Sequence, residues 1–259
     1  MKKRERMDLI LLLVYPIIGA FVSHVLNVNA FGSIIVFFGL ASLYLTIRAF
    51  QYSKKALLSS VIISIPLIVI IDYIAQTTKQ WVIPNSILPF RLFGIVTIEV
   101  IVWVILDLYL VIMFYEYFLD KRVTKKLWHL HMKYFVIITW SLFALFVTLY
   151  LYLPTFLDIP FFYICFGIVL LLIPSIIQMV KHTKTNVKFF KTAAYFFYLK
   201  VLYEVTALQL GWWDFPGTDY IGWVSILNIK FPIEELIFWL FIFTIAILTY
   251  YRYFEDDGI

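Results

Sequence analysis

The chain has 259 residues, 63% hydrophobic and 14% charged, with a mean hydropathy of +0.94. A soluble domain of this size has too little interior for so much apolar surface, so the composition predicts an integral membrane protein. The net charge of +5 does not point to a nucleic-acid partner, because the basic residues gather in short connections between apolar runs.

Those runs are about 20 residues long and show no alternation, which favours helices over a barrel. In chain order they predict eight spans, near Leu9–Leu26, Gly32–Phe50, Ala56–Gln76, Leu92–Phe118, Lys133–Leu153, Phe161–Val180, Thr192–Leu210 and Phe231–Phe254. Met1–Arg6 ahead of the first run resembles a signal peptide. No small-residue cleavage site follows, so that run is expected to be retained as a span. One set of connections and ends carries Lys2, Lys3, Arg4, Arg6, Arg48, Lys54, Lys55, Lys121, Arg122, Lys125, Lys126, Lys133, Lys181, Lys184, Lys188, Lys191 and Arg252. The opposite set carries Lys79, Arg91 and Lys230. The imbalance predicts both termini on the cytoplasmic side of a cell membrane. Cys165 lies in an apolar run and implies neither a disulfide nor a thiol metal site, and His129 and His131 fall in a basic connection. No metal site is expected.

The chain also repeats itself. A shift of 132 lays Asp72 on Glu204, Ala75 on Ala207, Trp81 on Trp213 and Pro84 on Pro216. A shift of 136 then lays Glu99 on Glu235, Trp103 on Trp239, Tyr115 on Tyr251, Tyr117 on Tyr253, Phe118 on Phe254 and Asp120 on Asp256. The expected fold is therefore all-α, with eight transmembrane helices as a parallel tandem repeat of two four-helix units, residues 1–122 and 123–259.

A carboxylate in hydrocarbon is costly, about 2.5–3.5 kcal/mol at the centre of a span, and is usually kept for a function. Asp72, Glu99, Glu204 and Glu235 all fall roughly 6–10 Å inside the same ends of their helices at 1.5 Å per residue. Glu234 stands beside Glu235 behind Pro232, which suits the first turn of a helix. Plainer readings exist: Glu234 and Glu235 would complement a helix N-terminus, Glu204 would pair with Lys200, Asp72 would reach headgroups, and Arg91 would pair with an acid near the surface. Glu116 is expected at the opposite interface without a role. Glu99, Trp103 and Asp107 share one stripe of their helix; Glu235 and Trp239 repeat its first two members, and Phe243 stands where Asp107 would recur. Burial makes a carboxyl hold its proton, and a second carboxyl nearby strengthens the effect in one of the two, which gives an acid–base couple. Aromatic rings, 20% of the chain, stabilise a cation through their faces without trapping it. Acid, apolar pocket and aromatic wall are what proton-initiated cyclisation of an alkene requires.

The segment from Glu204 through Gly211-Trp212-Trp213 to Pro232-Ile233-Glu234-Glu235 and Phe238 resembles the membrane lycopene cyclase domain, found as two small bacterial subunits or as fused tandem domains. Asp72, Trp81 and Glu99 resemble the other member of the tandem, although Val96-Thr97-Ile98-Glu99 keeps one glutamate and lacks the proline. The resemblance implies a non-redox isomerase that closes the end groups of an acyclic carotenoid such as lycopene. The implied catalytic residues are Glu235, Glu234, Glu99, Asp72 and Glu204. Trp103, Trp239, Trp213, Trp81 and Phe238 would line the substrate site. No cofactor is implied, and the nine glycines form no G-x-G-x-x-G loop. The bilayer is the other implied partner, with a second copy or carotenoid-pathway enzymes as protein partners. Rival readings are a proton-coupled transporter and another membrane terpene cyclase or hydratase. A prenyltransferase would want aspartate-rich diphosphate sites that the spans lack.

Overall fold

A computed structural model describes residues 3–121 and 130–253. Lys2, Arg122, Lys125, Lys126, His129 and the repeat partners Phe254 and Asp256 lie outside the described residues. Among those described there are eight long helices: α1 Lys3–Val25, α2 Ala30–Arg48, α3 Phe50–Thr77, α4 Ile98–Asp120, α5 Leu130–Tyr152, α6 Phe162–Lys181, α7 Thr183–Gln209 and α8 Glu235–Arg252. All but α7 are long and apolar enough to cross a membrane, which makes the chain a multi-pass membrane protein. The span expected over Thr192–Leu210 is helical, but Lys200, Glu204 and several tyrosines make α7 less apolar than the others. Those polar groups face inward, since Lys200, Tyr203 and Glu204 are all buried.

Burial sorts the helices into layers. The most apolar stretch of α4 is 67% buried, against 11% for α5. So α4 lies at the centre with α3, α7 and α8 around it, while α1 and α5 show large side chains such as Ile17, Phe21, Ile138 and Leu145 to lipid. Four helices widen locally to a π-helix: α2 at Ile35–Gly39, α4 at Glu116–Asp120, α6 at Gly167–Leu172 and α8 at Glu235–Ile242. Such widening turns the side chains that follow and recurs at functional sites. The π segments of α6 and α8 touch, and Phe238 seats in the notch left by Gly167, where a Cβ would stand 2.4 Å from its ring.

At one end, short hairpins close the bundle. β1 Arg91–Leu92 pairs with β2 Val96–Thr97, and β3 Trp223–Ile226 with β4 Ile229–Pro232. Pro232 thus ends a strand opposite Trp223 rather than opening a helix. It has no N–H for the ladder, and Ile233 N–H donates instead to the Gly222 carbonyl at 3.0 Å. Arg91 donates to the backbone carbonyls of Ile83 (2.9 Å) and Ile95 (3.0 Å), so it ties loops together instead of pairing with an acid. Between the hairpins, Val82 and Asp214 exchange both backbone hydrogen bonds, at 2.9 and 3.1 Å.

Several backbone features recur about 132 residues apart. Lys79 (φ 60°) follows α3 as Gly211 (φ 68°) follows α7, both in the left-handed region that ends a helix. α2 and α3 meet at Ala49 (φ −144°, ψ 45°), and α6 and α7 meet at His182 (φ −129°, ψ 57°).

The opposite end is tied by charge. Asp8 accepts from Arg48 (2.5 Å), Tyr117 (2.5 Å) and Tyr44 (2.6 Å), Lys121 bonds Glu5 at 2.9 Å, and Lys188 bonds Asp120 at 2.5 Å. Glu116, expected at this interface, is buried and accepts from the Tyr251 hydroxyl at 2.6 Å.

Candidate active site

Beneath the hairpins lies a chamber whose empty space, open mouth included, is about 630 Å³. Glu99 from α4, Glu204 from α7 and Glu235 from α8 face it. The local sequence explains each position. Thr97 caps α4 with its hydroxyl toward Val100 N–H, which puts Glu99 in the first turn. Glu204 lies just over one turn before the end of α7, and Glu235 opens the π segment of α8.

Each acid is held differently. On Glu99, Oε1 accepts from Ser86 Oγ (2.7 Å), Ile87 N–H (2.8 Å) and Leu88 N–H (3.2 Å), while Oε2 is buried with no hydrogen-bond partner among the described residues. Glu204 Oε1 accepts from Trp213 Nε1 at 3.0 Å, and Glu235 Oε2 accepts from the Tyr163 hydroxyl. Trp103 Nε1 and the Tyr203 hydroxyl also reach the chamber wall without a partner among the described residues. Buried polar atoms are seldom left so, and these three border one space.

The rest of the wall is aromatic. Trp81 stands 6.1 Å from Trp239, Trp239 5.5 Å from Trp103, and Trp103 6.0 Å from Trp213, centroid to centroid. The four tryptophans form one chain of rings, to which Tyr203 adds a stacked ring 6.1 Å from Trp103 and Tyr163 an edge 5.3 Å from Trp81.

The other expected site residues stand off the wall. Asp72 is fully buried one layer back, where Oδ1 accepts from Trp81 Nε1 (2.8 Å) and Oδ2 from Gln76 Nε2 (2.7 Å). It therefore does not reach headgroups, and it touches the chamber only through Trp81. Glu234 is turned toward the hairpin loop, where it accepts from Ile221 N–H. Adjacent residues on a helix point about 100° apart at 3.6 residues per turn, so Glu234 and Glu235 do not face one space together. Phe238 packs on Gly167, away from the chamber. Lys200 pairs with Asp107 of α4 at 2.7 Å rather than with Glu204, and its ammonium lies 4.6 Å from the Phe243 ring centroid.

Sequence reasoning missed Tyr163, Tyr203, Trp212 and Ser86. Tyr163 and Ser86 come from segments with no acid to mark them, whereas Trp212 carried a signal as the neighbour of Trp213. Among the described residues, no three His, Cys, Asp or Glu side chains are placed to hold a metal ion. Compared with protein-family models, curated proteins and solved structures, the chain matches none of them.

Proposed function

We propose that the protein is a carotenoid cyclase of the lycopene cyclase type, and that the chamber closes the end group of an acyclic carotenoid without redox change. The observation that carries this reading is the convergence of three carboxyl groups and a continuous chain of tryptophans on one apolar space. A proton passes from a chamber carboxyl to the terminal double bond, leaving a tertiary cation. The neighbouring internal double bond attacks that cation and closes the ring. Loss of a proton from the ring to a carboxylate restores neutrality, so the product is an isomer of the substrate.

Glu99 suits the accepting role, since three donors hold Oε1 and Oε2 is bare toward the chamber. Glu235 and Glu204 supply the proton, with Tyr163 and Trp213 fixing their orientation. The ring faces of Trp81, Trp103, Trp213 and Trp239 stabilise the intermediate cation. The catalytic set is thus Glu235, Glu204 and Glu99, with Asp72 acting through Trp81 and Glu234 bracing the loop.

The same proposal includes a parallel repeat of two four-helix units. The recurring turns and hinges support it, as does the reciprocal Val82–Asp214 contact, which joins residues at matching repeat positions as a local two-fold would. It also places the Asp8 end at the cytoplasm, because Arg48, Lys121 and Lys188 cluster there.

A proton-coupled transporter is the rival reading, favoured by the buried Lys200–Asp107 pair, a feature of carriers. Pigment extracted from lycopene-accumulating cells distinguishes the two. The wild-type gene is expected to yield cyclic carotenoid, and Glu235→Gln to lower the yield by about 10²–10⁴-fold. Unchanged lycopene in cells that make the wild-type protein would remove the cyclase reading.

A further inference from the structure

Ile68 and Trp239, which line the chamber, also line a second cavity between α3, α4, α6 and α8, about 470 Å³ with its open mouth included. This cavity is apolar throughout. Its two hydroxyl groups are taken up by backbone carbonyls, Ser64 on Ser60 at 2.6 Å and Tyr250 on Leu170 at 2.6 Å. Nothing in it could act on a reacting atom or hold a polar ligand.

The space at the matching positions, between α2, α4, α7 and α8, is closed. In the α2/α6 register that lays the hinge Ala49 on the hinge His182, 133 residues on, Phe37 and Phe38 stand at the positions of Leu170 and Leu171, both fully buried and packed edge-on against Tyr203 at 5.1 and 4.9 Å. Lys200 stands at the position of Ile68, and it pairs with Asp107, which stands at that of Phe243. So one arm leads out of the chamber and its counterpart is plugged.

Resting on the cyclase reading, we propose that this second cavity is the subsite for the unreacted chain of the substrate. One end group enters the chamber while the long apolar remainder passes Trp239 into the arm. A molecule that fills both spaces is long, thin and free of polar groups past its reacting end. The single open arm also means that one end group is processed per binding event, and that the molecule must leave and turn for the other.

Leu171→Phe copies the ring that closes the other arm, and Ala246→Leu narrows the same space from α8; neither side chain lines the chamber. Two substrates are compared, a full-length acyclic carotenoid and a truncated polyene with the same end group, and binding is followed separately by quenching of tryptophan fluorescence. Both variants are expected to convert and bind the full-length substrate about tenfold less well, and the truncated one within about twofold of wild type. Equal losses on both substrates, or none on the long one, would overturn the subsite. If the wild type binds the long polyene in a way that Leu171→Phe weakens, yet forms no ring, the cyclase reading fails and the apolar-chain subsite stands.

Discussion

Trp81 bonds Asp72 and Trp213 bonds Glu204 over the same nine-residue interval, yet only Glu204 faces the chamber. Two details separate them. Asp72 is a methylene shorter, and both its oxygens are occupied because Gln76 supplies a second donor. Four residues after Glu204 stands Leu208, where Gln76 follows Asp72, so Glu204 keeps one oxygen clear of such a bond. The same contrast holds for the other matched pair. Glu99 is tied to a loop by three donors and Glu235 to a single tyrosine of α6. Like residues at like positions thus become a fastened acid on one side and a less fastened acid on the other. The difference lies in who donates to them.

The comparison breaks most visibly at Glu204. Glu204→Gln keeps the shape and the Trp213 bond but removes an exchangeable proton, so cyclic product is expected to fall by about 10²–10⁴-fold. Chromatography of pigment from cells with matched protein levels measures it. A variant with wild-type yield would put all the proton chemistry on the Glu99 and Glu235 pair.

A second contrast is Lys200–Asp107 against Ile68 and Phe243. Removing one member of a buried pair strands the other charge, at a cost of about 3–5 kcal/mol. Lys200→Met is expected to lose that much stability in detergent, and Lys200→Met with Asp107→Leu to recover most of it, because Ile68 and Phe243 already stand as an apolar couple at the matching positions. Thermal unfolding of the two variants decides. If the double variant is no better than the single, the pair has a role beyond mutual neutralisation.

The notch at Gly167 sharpens the contrast between the π segments. Gly167→Ala brings a methyl into the Phe238 ring, and overpacking of this kind costs about 1–3 kcal/mol. Adding Phe238→Leu should restore stability without loss of product, since Phe238 is away from the chamber wall. Loss of product in that rescued variant would show that Phe238 shapes the site after all.

The membrane class, the helices and the acids Glu99, Glu204 and Glu235 were legible because each rests on a local cost: apolar runs need lipid, and a carboxyl in such a run needs a reason. The four tryptophans were legible because Trp81 and Trp213, like Trp103 and Trp239, stand at the same spacings from the acids. The partners were not. Tyr163 meets Glu235, and Asp107 meets Lys200, from different helices, and no spacing within one helix encodes which neighbour it will face. Glu234 and Phe238 misled for a related reason. Proximity in sequence to Glu235 suggests a shared site, but the facing direction changes with every residue, and a π-helix shifts it again.

The smallest effect is expected at Asp72, which stands one layer behind the chamber wall. Asp72→Asn keeps an oxygen for Trp81 Nε1 but turns an NH2 toward Gln76 Nε2, so one hydrogen bond is lost unless the Gln76 amide flips. Gln76 Oε1 gains little by staying, since its contact with Ile83 N–H is long at 3.4 Å. With the flip only that long contact is given up, so the net cost is at most that of one ordinary hydrogen bond, about 0.5–1.5 kcal/mol, felt as a slight loosening of Trp81 and a few-fold loss of product. Measured beside Glu204→Gln in the same cells, it asks whether matched acids do matched work. If Asp72→Asn is as damaging as Glu204→Gln, the layer behind Trp81 takes part in the proton transfers, and the asymmetry inferred from their hydrogen-bond donors is wrong.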